Sequence, residues 1–264
     1  MSLSARRFAC TGCGRCCNRA PEVELSEAAG LADVFQFHLM FRLYRLPDKL
    51  SDYLATGERG PNAAADYFGR KRMLSTFAAR KYPMKLTRDG KAVAYTRYLM
   101  LSAIAEDIGS GACSALRGSL CGIHERRPLS CRSVPLHYSR PEVTAERDLA
   151  AFAATPGFRC DTSETAPVVL RDGRVVDEEM AAARTAAVEI ARRDRRWGAA
   201  IVDRMGKELP SLDEIEANAA VAAMAVPMTI AWTIAGDAGL ISRDECDRLA
   251  ALQRRVRGYA SLSA

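Results

Sequence analysis

Residues 8–17 read FACTGCGRCC and residues 121–135 read CGIHERRPLSCRSVP. In the first stretch Cys10, Cys13, Cys16 and Cys17 form a CxxCxxCC run, and two intervening residues let neighbouring thiolates curl about one centre. No cysteine occurs from residue 18 to residue 112; Cys113, Cys121, Cys131 and Cys160 then follow, and the ninth, Cys246, stands apart. Eight clustered cysteines suffice for two four-thiolate sites, and spacing alone leaves open which four share a metal. Adjacent residues such as Cys16 and Cys17 point in divergent directions in most backbone conformations. The two therefore serve different metals, or one stays outside the metal shell.

Working outward, Pro128 and Pro135 bracket a single helical turn carrying Cys131. ACSALRGSLCGIH, residues 112–124, reads as two short arms joined at Arg117-Gly118. Glycines there let the backbone turn tightly and approach a bound group. Arg15, Arg126, Arg127, Arg132 and Arg159 lie near the cysteines in sequence, where positive charge favours thiolates. The cysteine-free interval is expected to be helical. From Ser26, apolar Leu31, Val34, Phe35, Leu39, Leu43 and Leu46 recur at helical spacing up to Pro47. Further helices are expected at residues 48–54 and around Tyr67, Met73 and Phe77. Asp89-Gly90 and Asp172-Gly173 each mark a hairpin. A long helix is expected over residues 177–205, with one skipped turn in its apolar face at Asp194. Capping boxes open helices at Ser211 and Ser242. The fold class expected is α+β, mostly helical, with short hairpins around a cysteine-ligated metal centre. Residues 1–165 would form the metal-binding domain with a helical insertion at about 26–82, and residues 166–264 a helical extension packed on it.

Composition agrees with a folded globular chain: 264 residues, 48% hydrophobic and 27% charged. The net charge of +6 is modest, with both signs interspersed, so a nucleic-acid partner is not expected. The first residues show no apolar stretch of signal-peptide length, and a reducing cytoplasmic location is the expectation. There, clustered cysteines read as metal ligands before disulfides. Residues 217–236 carry no charge over a length that could span a bilayer, but they are rich in alanine and interrupted by Pro227, so a buried core helix is expected instead.

FACTGCGRCC, CSAL at residues 113–116, CGIHERRPLSCRSVP and the cysteine closing FRC at Cys160 together resemble the YkgJ-type cysteine-cluster proteins, a zinc- or iron-chelating family. The resemblance covers about the first 160 residues; His124 stands where that family usually has tyrosine. It implies that Cys10, Cys13, Cys16, Cys17, Cys113, Cys121, Cys131 and Cys160 ligate metal. CxxCxxC resembles the loop around a 4Fe-4S cluster, while CxxC pairs also make zinc sites. The family's likeness to flagellin lysine N-methylase tilts the expectation toward iron–sulfur and brings in S-adenosylmethionine as a cofactor by resemblance only. One expectation is thus an iron–sulfur enzyme, a transferase or oxidoreductase, that modifies a protein side chain or small molecule, with methyl transfer its most concrete form. The alternatives are a zinc-stabilised structural or interaction module and a metal carrier or thiol sensor. His124 and His137 flank Cys131 as secondary candidates for ligands or proton carriers. Cys246 reads as a packed core thiol.

Overall fold

The computed structural model describes residues 5–11, 14, 17, 20–57, 62–106, 112–118, 120–157, 159–217 and 223–262, with the side chains of all of these except 223–225 and 257–262. In chain order the elements are β1 (Ala5–Arg7), β2 (Glu22–Val23), α1 (Leu25–Ala29), β3 (Phe37–Pro47), α2 (Leu50–Leu54), α3 (Ala63–Phe77), β4 (Ala78–Arg88) and β5 (Lys91–Ala105). They continue with β6 (Leu116–Arg117), β7 (Leu120–Cys121), α4 (Leu129–Arg132), α5 (Ala145–Ala153), β8 (Val168–Arg171), β9 (Arg174–Val175), α6 (Glu178–Met205), α7 (Leu212–Ala217), β10 (Ala223–Pro227), α8 (Met228–Asp237) and α9 (Arg243–Leu262). The class is mixed α and β. The chain folds as two compact units, each drawn from two stretches: residues 1–21 with 107–189, and residues 22–106 with 190–264. The boundary expected near residue 165 falls inside the first unit.

The first unit carries a three-stranded antiparallel sheet of order β1-β8-β9 and the separate hairpin β6-β7. Its core gathers Phe8, Leu136, Leu149, Val169, Leu170 and Met180, with Val134, Phe152 and Cys160 packed against it. The β8-β9 turn falls at Asp172-Gly173, both with positive φ (51° and 74°), which is the two-residue turn that joins right-twisted strands.

The second unit is built on a five-stranded antiparallel sheet in which β10, β3, β5 and β2 are neighbours in that order and β4 also pairs with β5. Register runs unbroken from Phe37 opposite Ala105 to Pro47 opposite Tyr95. The β4-β5 hairpin turns at Asp89-Gly90, again with positive φ at both residues, as expected from the dipeptide. Pro83 lies within edge strand β4, where its missing N–H can face away from the ladder.

Three expectations are corrected here. The helical insertion expected at about 26–82 is interrupted by strand: β3 takes residues 37–47 and β4 begins at Ala78, while the helices expected at residues 48–54 and around Tyr67, Met73 and Phe77 form as α2 and α3. Residues 37–46, FHLMFRLYRL, satisfy helical spacing but also alternate, and Phe37, Leu39 and Phe41 line one fully buried strand face. Its helices are α1, α2 and α3 only. The hairpin around Asp89-Gly90 is not short, its arms being 11 and 15 residues long. In the uncharged stretch 217–236, residues 223–227 are strand β10 and helix begins at Met228, directly after the proline. Residues 218–222 lie outside the described residues. No helix among the described residues is long and apolar enough to cross a membrane.

The long helix α6 and the Ser211 capping box match expectation. Ser211 Oγ accepts the Glu214 N–H at 3.2 Å, while the Glu214 carboxylate accepts the Ser211 N–H at 2.8 Å and is held below its usual pKa by those same Ser211 groups. At Ser242 only half the box forms, since Glu245 instead pairs with Arg248.

Candidate metal centre

All of the expected ligands belong to the first unit by position. Cys13 and Cys16 lie outside the described residues, as does Arg15. Of the other six, Cys10 is exposed and Cys17, Cys113, Cys121, Cys131 and Cys160 are half-buried.

Cys10 and Cys160 flank an isolated bridge just outside the sheet. Phe8 is 4% exposed, its ring lies edge-on to Phe152 at 6.1 Å, and its N–H donates to the Pro167 carbonyl at 3.0 Å. With Phe8 fixed in the core, the next residue forms an antiparallel bridge: Ala9 N–H donates to Asp161 O at 2.8 Å and Asp161 N–H returns to Ala9 O at 3.0 Å. In an antiparallel ladder a pair that exchanges both bonds is followed by a non-hydrogen-bonded pair, and the residues that follow this isolated bridge are Cys10 and Cys160. In regular geometry such Cα atoms stand about 4.5 Å apart with both side chains on one face. One residue further, Thr11 Oγ1 donates to Arg159 O at 3.0 Å, which keeps the two chains together past the cysteines.

A second contact brings Cys17 to Cys113, whose N–H donates to the Cys17 carbonyl at 2.8 Å. Gly14, at φ +70°, starts the turn that ends in the Cys17 N–H donating to Gly14 O at 3.0 Å. Cys113 then leads directly into the β6-β7 hairpin. Its carbonyl accepts the Leu116 N–H at 3.0 Å, and Leu116 lies opposite Cys121. Gly122 donates to Ala115 O at 2.8 Å, and a Cβ there would stand 3.0 Å from that same carbonyl and from Arg117 Cγ, so glycine permits the approach.

Cys131 sits on the one-turn helix α4, as the flanking prolines predict. Arg132 ties that turn to the preceding 3-10 segment, donating to Arg127 O at 3.0 Å and to Glu125 O at 3.1 Å, and Arg127 pairs with Glu179 at 2.7 Å. Arg132 braces the backbone around the cysteine, and Arg127 ties the same segment to the start of α6. His124 has a side chain 61% exposed, 3.6 Å from Glu125. His137 Nδ1 is 2.8 Å from Ser139 Oγ.

Two polar groups that motif reading passed over shape their surroundings. Arg184, on the first part of α6, donates to His137 O at 3.1 Å and Arg140 O at 2.9 Å, stapling the segment that follows Cys131. Burial lowers its pKa, opposed by Glu142 and Asp148. Its place at i+4 from buried Met180 on an otherwise apolar face was the available signal. In the second unit Asp194, the skipped turn, is 7% exposed and accepts the Ser26 N–H at 2.8 Å. Burial raises its carboxyl pKa, against the Ser26 hydrogen bonds and Arg193.

Among the described residues no three His, Cys, Asp or Glu side chains are drawn together as a metal-ligand set. The two backbone contacts instead bring cysteines together in pairs. The donor set is one of thiols, the chemistry that suits zinc or an iron–sulfur cluster rather than a hard oxygen-seeking cation. No protein-family model matches the chain, and neither does any curated protein or solved structure.

Proposed function

We propose that this chain is a metal-cluster protein in which Cys10, Cys13, Cys16, Cys17, Cys113, Cys121, Cys131 and Cys160 hold an iron–sulfur centre, 4Fe-4S being the form that CxxCxxC suits. The observation that supports it most is the Ala9–Asp161 bridge, which brings the chain at Cys10, the first cysteine of the motif, beside the chain at Cys160, the last of the cluster. The chain's own contribution is a frame for thiolates. The isolated Ala9–Asp161 bridge brings the backbones of Cys10 and Cys160 side by side, a backbone hydrogen bond joins Cys113 to Cys17, and the arginine-braced turn carries Cys131.

When bound, such a cluster supplies electron transfer or an open iron position for a substrate. The resemblance to YkgJ-type proteins and flagellin lysine N-methylase extends this reading to modification of a protein side chain or small molecule, with methyl transfer from S-adenosylmethionine its most specific form. The test is anaerobic isolation with assay of iron and acid-labile sulfide. A brown protein with iron and sulfide in equal amounts is expected. A colourless protein containing zinc alone would overturn the iron–sulfur reading in favour of a zinc-stabilised module.

A further inference from the structure

We infer that Cys10 and Cys160 bind one and the same metal centre, as a cross-strand pair. The inference rests on the metal-centre reading above and deepens it by assigning two of the eight ligands to each other. Residues this far apart in sequence share a centre only if the fold holds their Cβ atoms on one face at a fixed separation. The reciprocal bonds between Ala9 and Asp161, at 2.8 and 3.0 Å, bring the two backbones together, and a ladder continued by one residue gives the next pair that arrangement. In an antiparallel ladder, facing Cβ atoms stand about 4.5–5.5 Å apart. Two sulfurs on one tetrahedral ion with bonds of about 2.3 Å lie roughly 3.8 Å from each other. Rotation about the two Cα–Cβ bonds spans that difference, and outward rotation reaches two irons of a single cluster.

The frame is anchored on both sides. Phe8, two residues before Cys10, is buried and hydrogen-bonded to Pro167, while Cys160 itself packs against the core of Phe8, Leu136 and Leu170. Past the pair, Thr11 Oγ1 donates to Arg159 O and adds one more link between the two chains. A separation fixed before metal arrives removes most of the ordering cost of chelation. Cys10 is exposed, so the centre is loaded from solvent on that side.

The test uses the full chain as wild type, C10S, C160S and C10S/C160S, each reconstituted with ferrous iron and sulfide and, separately, with zinc. Metal per chain is then measured after desalting. Wild type is expected to bind metal, and both single variants and the double variant should lose the same amount and retain the same remainder. A double variant that loses as much as the two singles added together, or a C160S protein with its full metal content, would overturn the pairing while leaving the metal reading intact. A wild-type chain that binds neither probe would overturn the metal reading and the pairing with it.

A second measurement needs no variant. Metal-free wild type is treated with oxidised glutathione. One thiolate of the pair attacks the glutathione disulfide and releases a glutathione thiolate; the other then displaces the second glutathione, so two thiols are oxidised as one disulfide is reduced. In regular ladder geometry the Cα atoms of such a pair stand about 4.5 Å apart, within the range a disulfide requires. Peptide mapping should find Cys10 joined to Cys160, with metal-loaded protein protected. Cys10 joined instead to another cysteine would contradict the inference.

Discussion

Replacing Gln253 with leucine removes the most heavily used buried amide among the described residues of the second unit. Gln253 is 2% exposed on α9; its Oε1 accepts the Phe37 N–H at 2.8 Å, and its Nε2 donates to Ala32 O at 2.9 Å and Phe35 O at 2.7 Å. Those three bonds fix the chain where it leaves the turn after α1 and enters β3. Leucine keeps most of the side-chain volume, so the cavity contribution is small and the polar loss dominates. A buried donor or acceptor left without a partner costs about 1–3 kcal/mol. With three backbone groups affected, and carbonyls tolerating the loss better than the N–H, the expected destabilisation is roughly 3–5 kcal/mol. With a urea slope of about 2 kcal/mol per molar, the midpoint should fall by roughly 1.5–2.5 M. Trp197 and Trp232 are the only tryptophans and both lie in the second unit, so equilibrium urea denaturation followed by tryptophan fluorescence reports on this unit. A midpoint lowered by less than about 0.3 M would refute the reasoning, because the three bonds could not then be holding the entry to β3.

Gly198→Ala tests close packing of α6 against β4. The new Cβ would sit 2.8 Å from Ala79 Cβ, and overpacking at about 1–3 kcal/mol outweighs the gain of about 1 kcal/mol in helix propensity. The urea midpoint should drop, and a variant stabilised by the full propensity gain would contradict the packing. Asp194→Asn tests the raised carboxyl pKa. An acid whose folded pKa lies above its unfolded value adds stability below the ordinary carboxylate range and loses it as pH rises through the folded pKa. Asparagine keeps an oxygen for the Ser26 N–H without that dependence. The melting temperature of the variant relative to wild type should therefore rise from acid to neutral pH; a difference that stays flat or falls would exclude burial as the cause.

Local chemistry was legible from residue types, and long-range placement was not. Asp89-Gly90 and Asp172-Gly173 announced their hairpins because a turn with positive φ at both central residues admits few other dipeptides. The Ser211 box and α6 were equally plain, since capping and an amphipathic face are properties of neighbours in sequence. Residues 37–46 misled because they satisfy two periods at once. Their partner strand β5, about sixty positions onward, decides between them, and a single segment carries no record of its partner. Pro227 was noticed as an interruption, but that it separates strand from helix depends on β10 pairing with β3.

The cysteines follow the same division. Their motif and the turn carrying Cys131 were readable. The pairing inferred for Cys10 and Cys160 rests on the bridge between Ala9 and Asp161, two residues with nothing in their chemistry to draw attention. Arg184 and Asp194 were visible only as polar interruptions of an apolar helix face, and their partners at Arg140 and Ser26 appear once the chain is folded.

X-ray absorption at the metal edge of the anaerobically isolated protein bears most directly on whether these thiols surround an inorganic centre. Four sulfur neighbours per metal are expected, at about 2.3 Å if the metal is zinc, with additional metal neighbours if it is an iron–sulfur cluster. Isolation of the chain without bound metal, or a first shell of oxygen and nitrogen alone, would contradict the account.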